Sequence, residues 1–273
     1  MLSIQFLTLL SGRLRYSKFL LLSLHDNMSN SQKTVLITGG ARRIGNVIAH
    51  LLHASGFNIM IHYRSSSSDA DKLITDLNNI RADSAASVQG DLLDVNCIPG
   101  IIEQTIDTFD RLDVLINNAS TFYPTPIELI DNEFWTDLVG SNLKAPMFMV
   151  KSATKHLRDN NGCIINIVDI YARTPLSNHP IYCSAKAGLE MLTKSLARDL
   201  APEIRVNGVS PGAILWPEHE THTEKQDELL KKVPMGRMGT PEDIAKTVRF
   251  LIEEGTYITG QIIAVDGGRS VVI

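Results

Sequence analysis

The sequence predicts one large α/β domain. Short apolar runs alternate with longer amphipathic runs over most of the 273 residues, as strands and helices do. The first strand-to-helix junction, Thr38-Gly39-Gly40-Ala41-Arg42-Arg43-Ile44-Gly45, is glycine-rich. No internal repeat or linker divides the pattern, so the sheet reads as one unit.

Composition narrows the class. An apolar content of 44% with 21% charged residues is ordinary for a protein with a full core. A net charge of -4 argues against nucleic acid or an anionic membrane as the main partner. Cys97, Cys163 and Cys183 are widely spaced, with no CxxC pair or Cys/His cluster. Neither a disulfide framework nor a metal site is expected, and a reducing, cytoplasmic setting fits. Residues 1–27 stand apart. They carry Arg13, Arg15 and Lys18, no acid before Asp26, and leucine-rich runs on either side. The cations interrupt what would be a secretory signal, and Phe19 to Leu24 is too short to span a bilayer. The preferred reading is an upstream start, with Met28 the true first residue. A targeting peptide and a surface helix are the alternatives. The domain is then 28–273.

Thr34 to Thr38 is the first strand, and the glycine turn leads from it into a helix through His53. Strand, glycine turn and helix hold a pyrophosphate: glycines let the backbone approach, and the helix N-terminus offers N–H groups and a favourable dipole. Gly39, Arg42, Arg43, Ile44 and Gly45 are therefore expected at a cofactor. Asn58 to His62 is the second strand, ending in His62-Tyr63-Arg64-Ser65, and all four are expected at the cofactor. A ribose 2′-OH would call for an acid here. Arg64 and Ser65 instead suit a 2′-phosphate, with help from Arg42 or Arg43, so NADPH is expected rather than NADH.

Asp69 to Arg81 reads as a helix with Leu73, Ile74, Leu77 and Ile80 on one face. Ala85 to Gln89 is the third strand, followed by Gly90-Asp91-Leu92. Asp91 is placed either to accept from an adenine amino group or to start a helix. Val114 to Asn117 is the fourth strand, and Asn117-Asn118-Ala119-Ser120 follows, with asparagines able to bridge neighbouring loops. Thr121 to Pro126 sets Phe122 and Tyr123 beside two prolines. That makes either a stiff wall on which a flat heterocycle stacks or a packing loop. Glu133 to about Asn160 is a long helical region holding Asn142, with a kink expected at Pro146.

Cys163 to Val168 is an apolar strand, and Asp169 stands at its end, where parallel sheets build sites. An aspartate there also serves as a turn residue or helix cap. In the next helix, Tyr182-Cys183-Ser184-Ala185-Lys186 puts a phenol and an ammonium on one face. The lysine is expected to lower the phenol pKa and give a proton donor near neutral pH. Ile204 to Val209 is a further strand ending at Pro211-Gly212. Ala213 to Trp216 leads into a charged segment, Pro217 to Lys232, expected to be a lid over substrate. Thr240-Pro241 starts a helix, with acids in its first turn. Ile262 to Val265 is the last strand, closing with Asp266-Gly267-Gly268.

Thr38–Gly45, Asp91, Asn117-Asn118-Ala119, Asn142, Tyr182-x-x-x-Lys186, Pro211-Gly212 and Asp266-Gly267-Gly268 occur in an order that resembles the short-chain dehydrogenase/reductase family, from about Thr34 to Arg269. That resemblance implies a doubly wound, Rossmann-type domain with a mostly parallel seven-stranded sheet, a nicotinamide cofactor and a homo-oligomer. It implies that Lys186 holds the nicotinamide ribose, that Asn142 orients a water behind it, and that Asp91, Leu92, Asn118, Ala119, Ser120, Pro211 and Gly212 line the cofactor. Two departures narrow it: Arg43 stands where the family's middle glycine falls, and Asp169 where its catalytic serine falls. Together with His62-Tyr63-Arg64-Ser65 and the Asn118–Pro126 stretch, they resemble the pteridine reductase subgroup. This implies a pterin or folate substrate against Phe122, touched by Arg43, Ser120, Asp169, Tyr182, Leu215 and Trp216. It also implies a homotetramer. A carbonyl reductase and a non-catalytic NADPH sensor on the same fold are the competing readings.

Overall fold

A computed structural model describes residues 32–214, 228 and 230–272. The segment 1–27, Leu215, Trp216 and most of the charged stretch from Pro217 to Lys232 lie outside the described residues. The strands are β1 (Thr34–Ile37), β2 (Asn58–Tyr63), β3 (Ala85–Gln89), β4 (Val114–Asn117), β5 (Cys163–Ile167), β6 (Arg205–Pro211) and β7 (Ile262–Val265). They form one seven-stranded sheet in the order β3-β2-β1-β4-β5-β6-β7. Every pairing is parallel, with Val35 opposite Ile59 on one side and Val114 on the other. The structure is thus a single Rossmann-type α/β domain, and its sheet is wholly rather than mostly parallel.

The central strands β1, β4 and β5 are buried along their whole length. That is why they read as continuous apolar runs: helices cover both faces of a parallel sheet. Alternate side chains supply two cores. Val35 and Ile37 face one, with Ile48 and Leu52 of α1 (Arg43–Ala54), Leu73 and Leu77 of α2 (Ser67–Ile80), and Val248 and Leu251 of α7 (Pro241–Glu253). Leu36 faces the other, with Ile101 and Ile102 of α3 (Ile98–Phe109), Met149 and Leu157 of α5 (Ala145–Asp159), and Leu196 of α6 (Pro180–Asp199). Truncating one of these to alanine costs about 2–5 kcal/mol.

Three details differ from the sequence reading. The sequence shows no clear element between Leu92 and Val114, yet α3 lies there. Pro99 and Gly100 disguise its start, but a proline in the first turn loses no hydrogen bond. Ile80 ends α2 beyond its apolar stripe and is 73% exposed. The long helical region is α4 (Asn132–Val139), a π-helical segment (Gly140–Lys144) and α5. The Ala145 N–H bonds back to the Gly140 carbonyl, so the irregularity lies at Asn142. Pro146 sits in the first turn of α5 and lacks the N–H that an α-helix would give the Asn142 carbonyl.

In this strand order the crevice at the carboxyl ends of β1 and β4 is the switch point, where open parallel sheets bind ligands. The glycine turn leaves β1 there, and Asn118 leaves β4.

Candidate active site

The glycine turn is held from two sides. Asn118 Nδ2 donates to the carbonyls of Thr38 (3.0 Å) and Gly39 (2.9 Å). The Thr38 hydroxyl accepts from the N–H groups of Asn118 and Ala119, both at 3.0 Å. Gly39 has φ +59°, and a Cβ there would lie 2.9 Å from Ala119 Cα. At Gly45 a Cβ would lie 2.8 Å from both Asn118 Nδ2 and the Gly39 carbonyl oxygen. Only glycine fits either place. Helix α1 begins at Arg43 with no side-chain cap, so its N-terminal dipole is directed at the turn. A helix start with no side-chain cap, next to glycines that let the backbone be approached, fits a pyrophosphate. Arg43 is exposed and also left-handed, at φ +53°. A non-glycine residue there costs about 1–2 kcal/mol, which explains why a glycine would be the default.

His62 corrects the sequence reading. It is 2% exposed; its Nδ1 accepts from the Gly39 N–H (3.3 Å) and its Nε2 meets the Gly90 carbonyl (3.1 Å). It braces the turn from beneath and has no face left for a cofactor. Burial brings its pKa down to about 4, so it is neutral, with the proton on Nε2. Leu92 is likewise buried, in the core with Leu36, while Ile44 and Tyr63 are half-buried against the core on the other face, with Val35. Arg64 and Ser65 stand exposed at the end of β2. Arg42 pairs with Asp69 at 3.5 Å. Exposed Asp91 accepts from the Leu93 N–H at 3.1 Å in a turn and does not start a helix, since α3 begins only at Ile98. Pro211 ends β6, and the Gly212 N–H bonds the Val265 carbonyl at 3.1 Å.

Beside the turn, the ends of β4 and β5 and the start of α6 bring four predicted residues together. The Tyr182 hydroxyl donates to Asp169 Oδ2 at 2.7 Å. Asp169 Oδ1 accepts from the Tyr171 N–H at 2.9 Å, so the aspartate is both a cap for the 3-10 turn Ile170–Ala172 and a partner for the phenol. Lys186 is buried and donates to the Ile167 carbonyl at 2.9 Å. Asn142 is buried; its Nδ2 donates to the carbonyls of Thr121 and Leu138, and its Oδ1 accepts from the Ser120 hydroxyl at 2.6 Å.

The electrostatics overturn one expectation. Lys186 was expected to lower the Tyr182 pKa, but the phenol is pushed well above 10, by burial first and by Asp169 second. The lysine Nζ is 5.7 Å from the Tyr182 ring centroid, while a carboxylate oxygen touches the hydroxyl. Burial also raises Asp169, against its bonds from Tyr171 and Tyr182 and the charges of Lys186 and Arg269. Lys186 itself is brought down to about 8 by burial, with Asp169 opposing.

The Thr121–Pro126 loop packs in part and leaves one aromatic exposed. Tyr123 packs inward, its hydroxyl donating to Asp137 at 2.9 Å, while Phe122 is 50% exposed. Phe122 stands edge-on to Tyr182 with centroids 4.8 Å apart, so it forms a wall at the phenol. It also stacks on His179 at 4.8 Å, a residue the sequence reading missed. The available signal was a histidine three residues before Tyr182. Arg269 was also missed: its Nη2 donates to the Tyr171 hydroxyl at 3.0 Å. Nothing in the sequence pairs it with a residue 98 positions away. Among the described residues no cluster of His, Cys, Asp and Glu could hold a metal ion, and no helix is long and apolar enough to cross a membrane.

The family model described as enoyl-(acyl carrier protein) reductase matches residues 39–270. Pteridine reductase 1 of Leishmania tarentolae is 36% identical over 283 residues, covering 89% of this chain and 98% of the relative. A 3-oxoacyl-(acyl-carrier-protein) reductase of Staphylococcus aureus is 34% identical over 240 residues, covering 86% and 97%. The corresponding reductase of Synechocystis is 33% identical, covering 86% and 96%.

Proposed function

This chain belongs to the short-chain dehydrogenase/reductase family and is an oxidoreductase of that class; from that premise we propose that it is an NADPH-dependent pteridine reductase. It would reduce a C=N bond of a pterin, or of a folate, to CH–NH. The observation that carries the reading is Asp169 bonded to Tyr182, in the place where carbonyl reductases of this family carry a serine. A serine hydroxyl suits a carbonyl oxygen, to which it donates. A carboxyl can pass a proton to a ring nitrogen and accept from an amino-pyrimidine edge.

The glycine turn would hold the NADPH pyrophosphate, Arg64, Ser65 and Arg42 would suit its 2′-phosphate, and Lys186 would hold the nicotinamide ribose. When bound, the cofactor would supply the hydride for the substrate carbon. The proton comes from Asp169 in its neutral form. Tyr182 gives its proton to the ring nitrogen as Asp169 gives its own to the phenol oxygen. The N–H bond forms, the Asp169 O–H bond breaks, Tyr182 stays neutral, and solvent reprotonates the carboxylate. A direct loss from Tyr182 would leave a phenolate beside a carboxylate, which the raised phenol pKa disfavours. The upward shift of Asp169 favours the neutral donor. The ring packs against Phe122, and its polar edge meets Ser120, Arg43 and Asp169. The resemblance also leads us to take the enzyme as a cytoplasmic homotetramer.

The similarity to 3-oxoacyl reductases keeps one second reading, a carbonyl reductase on the same scaffold. Following NADPH oxidation with biopterin, dihydrobiopterin, dihydrofolate and an acetoacetyl thioester separates the two. Turnover on pterins and none on the thioester is expected. Turnover on the thioester alone would mean that Asp169 has been misread.

A further inference from the structure

The chain ends in a construction that the proposed chemistry has not used. After β7, Gly267 and Gly268 are both left-handed, at φ +64° and +85°. Asp266 accepts from the N–H groups of Gly268 (2.9 Å) and Ser270 (2.7 Å), which turns the chain back on itself. The turn carries Arg269 inward until it is 8% exposed. Its Nη2 donates to the Tyr171 hydroxyl, and the guanidinium carbon lies 5.5 Å from the Tyr171 ring centroid. Its Nε is buried without a hydrogen-bond partner, and it forms no ion pair among the described residues. A buried guanidinium with no carboxylate in contact is costly to the fold. Tyr171, its main partner, donates its own N–H to Asp169.

We propose that Arg269 is a positioning residue for the proton-donating pair: held through Tyr171, its buried charge stabilises the carboxylate that Asp169 becomes on giving up its proton. This rests on the reading of Asp169 and Tyr182 as the proton source. Four groups surround Asp169. Tyr171 follows it in the 3-10 turn, Tyr182 and Lys186 come from α6, and Arg269 comes from the C-terminal turn. The two cations hold Asp169 down against burial. Lys186, the nearer influence, is held at the Ile167 carbonyl and the expected ribose, and Arg269 adds a second buried charge from the opposite side of the chain, through Tyr171.

The test compares R269Q, which keeps a donor for Tyr171 but loses the charge, with R269K, which keeps the charge. Activity needs neutral Asp169, so it falls as pH rises through the pKa of the pair. R269Q weakens the acid. The basic limb of kcat should move up by about one pH unit, and the plateau should fall about threefold. NADPH Kd should change less than about twofold. R269K should keep the limb of the wild type. R269M, matched in stem length, should repeat the R269Q shift and replaces it if R269Q does not fold. Titration of 13C-labelled aspartate reads the Asp169 carboxyl without any substrate and should show the same shift. Superimposable profiles for R269Q and wild type, or equal shifts in R269Q and R269K, would overturn the proposal. If the wild type turns over no pterin, the functional reading fails, and the carboxyl titration still decides whether Arg269 governs Asp169.

Discussion

Asp169→Asn is the most informative single change. Asparagine keeps an oxygen for the Tyr171 N–H, so the 3-10 turn should stay in place. It removes the acid that resupplies Tyr182 across 2.7 Å. What remains is the phenol with no acid behind it, its pKa still held up by burial. General acid catalysis of this kind contributes roughly 10²–10⁴-fold, so kcat on dihydrobiopterin should fall by that factor, or about 3–5 kcal/mol in barrier. The braces of the glycine turn are His62 and Asn118, which the change leaves alone, so NADPH Kd should move less than about twofold. The assay is steady-state turnover beside a fluorescence titration of NADPH. A loss in kcat under tenfold, or a matching loss in NADPH affinity, would refute the assigned role. Stability supplies a second reading. Asp169 has a folded pKa above its unfolded value near 3.8, so its contribution is fully present below that value and is lost as pH rises through the folded pKa. The variant should lack that loss.

His62→Gln should flatten the acid side of the stability curve. His62 titrates at about 4 when folded and near 6.5 when unfolded, so its contribution is present above 6.5 and is lost as pH falls toward 4. That amounts to roughly 3 kcal/mol, measured by urea unfolding at pH 7 and pH 4.5; equal losses in both proteins would show that His62 is not the cause. Gly39→Ala puts a methyl group 2.9 Å from the Ala119 backbone at a left-handed φ. It should cost about 1–3 kcal/mol in stability and weaken NADPH binding, and unchanged calorimetric and binding data would remove the turn from the cofactor site. Arg64→Ala should raise the Kd of NADPH about tenfold and leave that of NADH unchanged. An equal effect on both would mean that Arg64 does not read the 2′-phosphate.

Much of this protein was legible in its sequence, because the relevant physics is local. Fully buried strands need continuous apolar runs, so β1, β4 and β5 announced themselves. A turn that approaches a phosphate needs glycine, so Gly39 and Gly45 stood out. One helical turn separates Tyr182 from Lys186, which fixed their shared face. Helix α3 was hidden because Pro99 and Gly100 mask its start. Charge and contact between distant segments could not be read in the same way. The sequence set Lys186 beside Tyr182, but packing sends the lysine to the Ile167 carbonyl and brings Asp169 to the hydroxyl, which reverses the direction of the phenol shift. The strand end also placed His62 toward the cofactor, whereas the sheet turns it beneath the glycine turn. Arg269 reaches Tyr171 only because β7 lies two strands from β5 and the chain turns back after it. Spacing along a chain specifies which side chains share a face, whereas pKa values depend on which atoms meet once distant faces are packed and water is excluded.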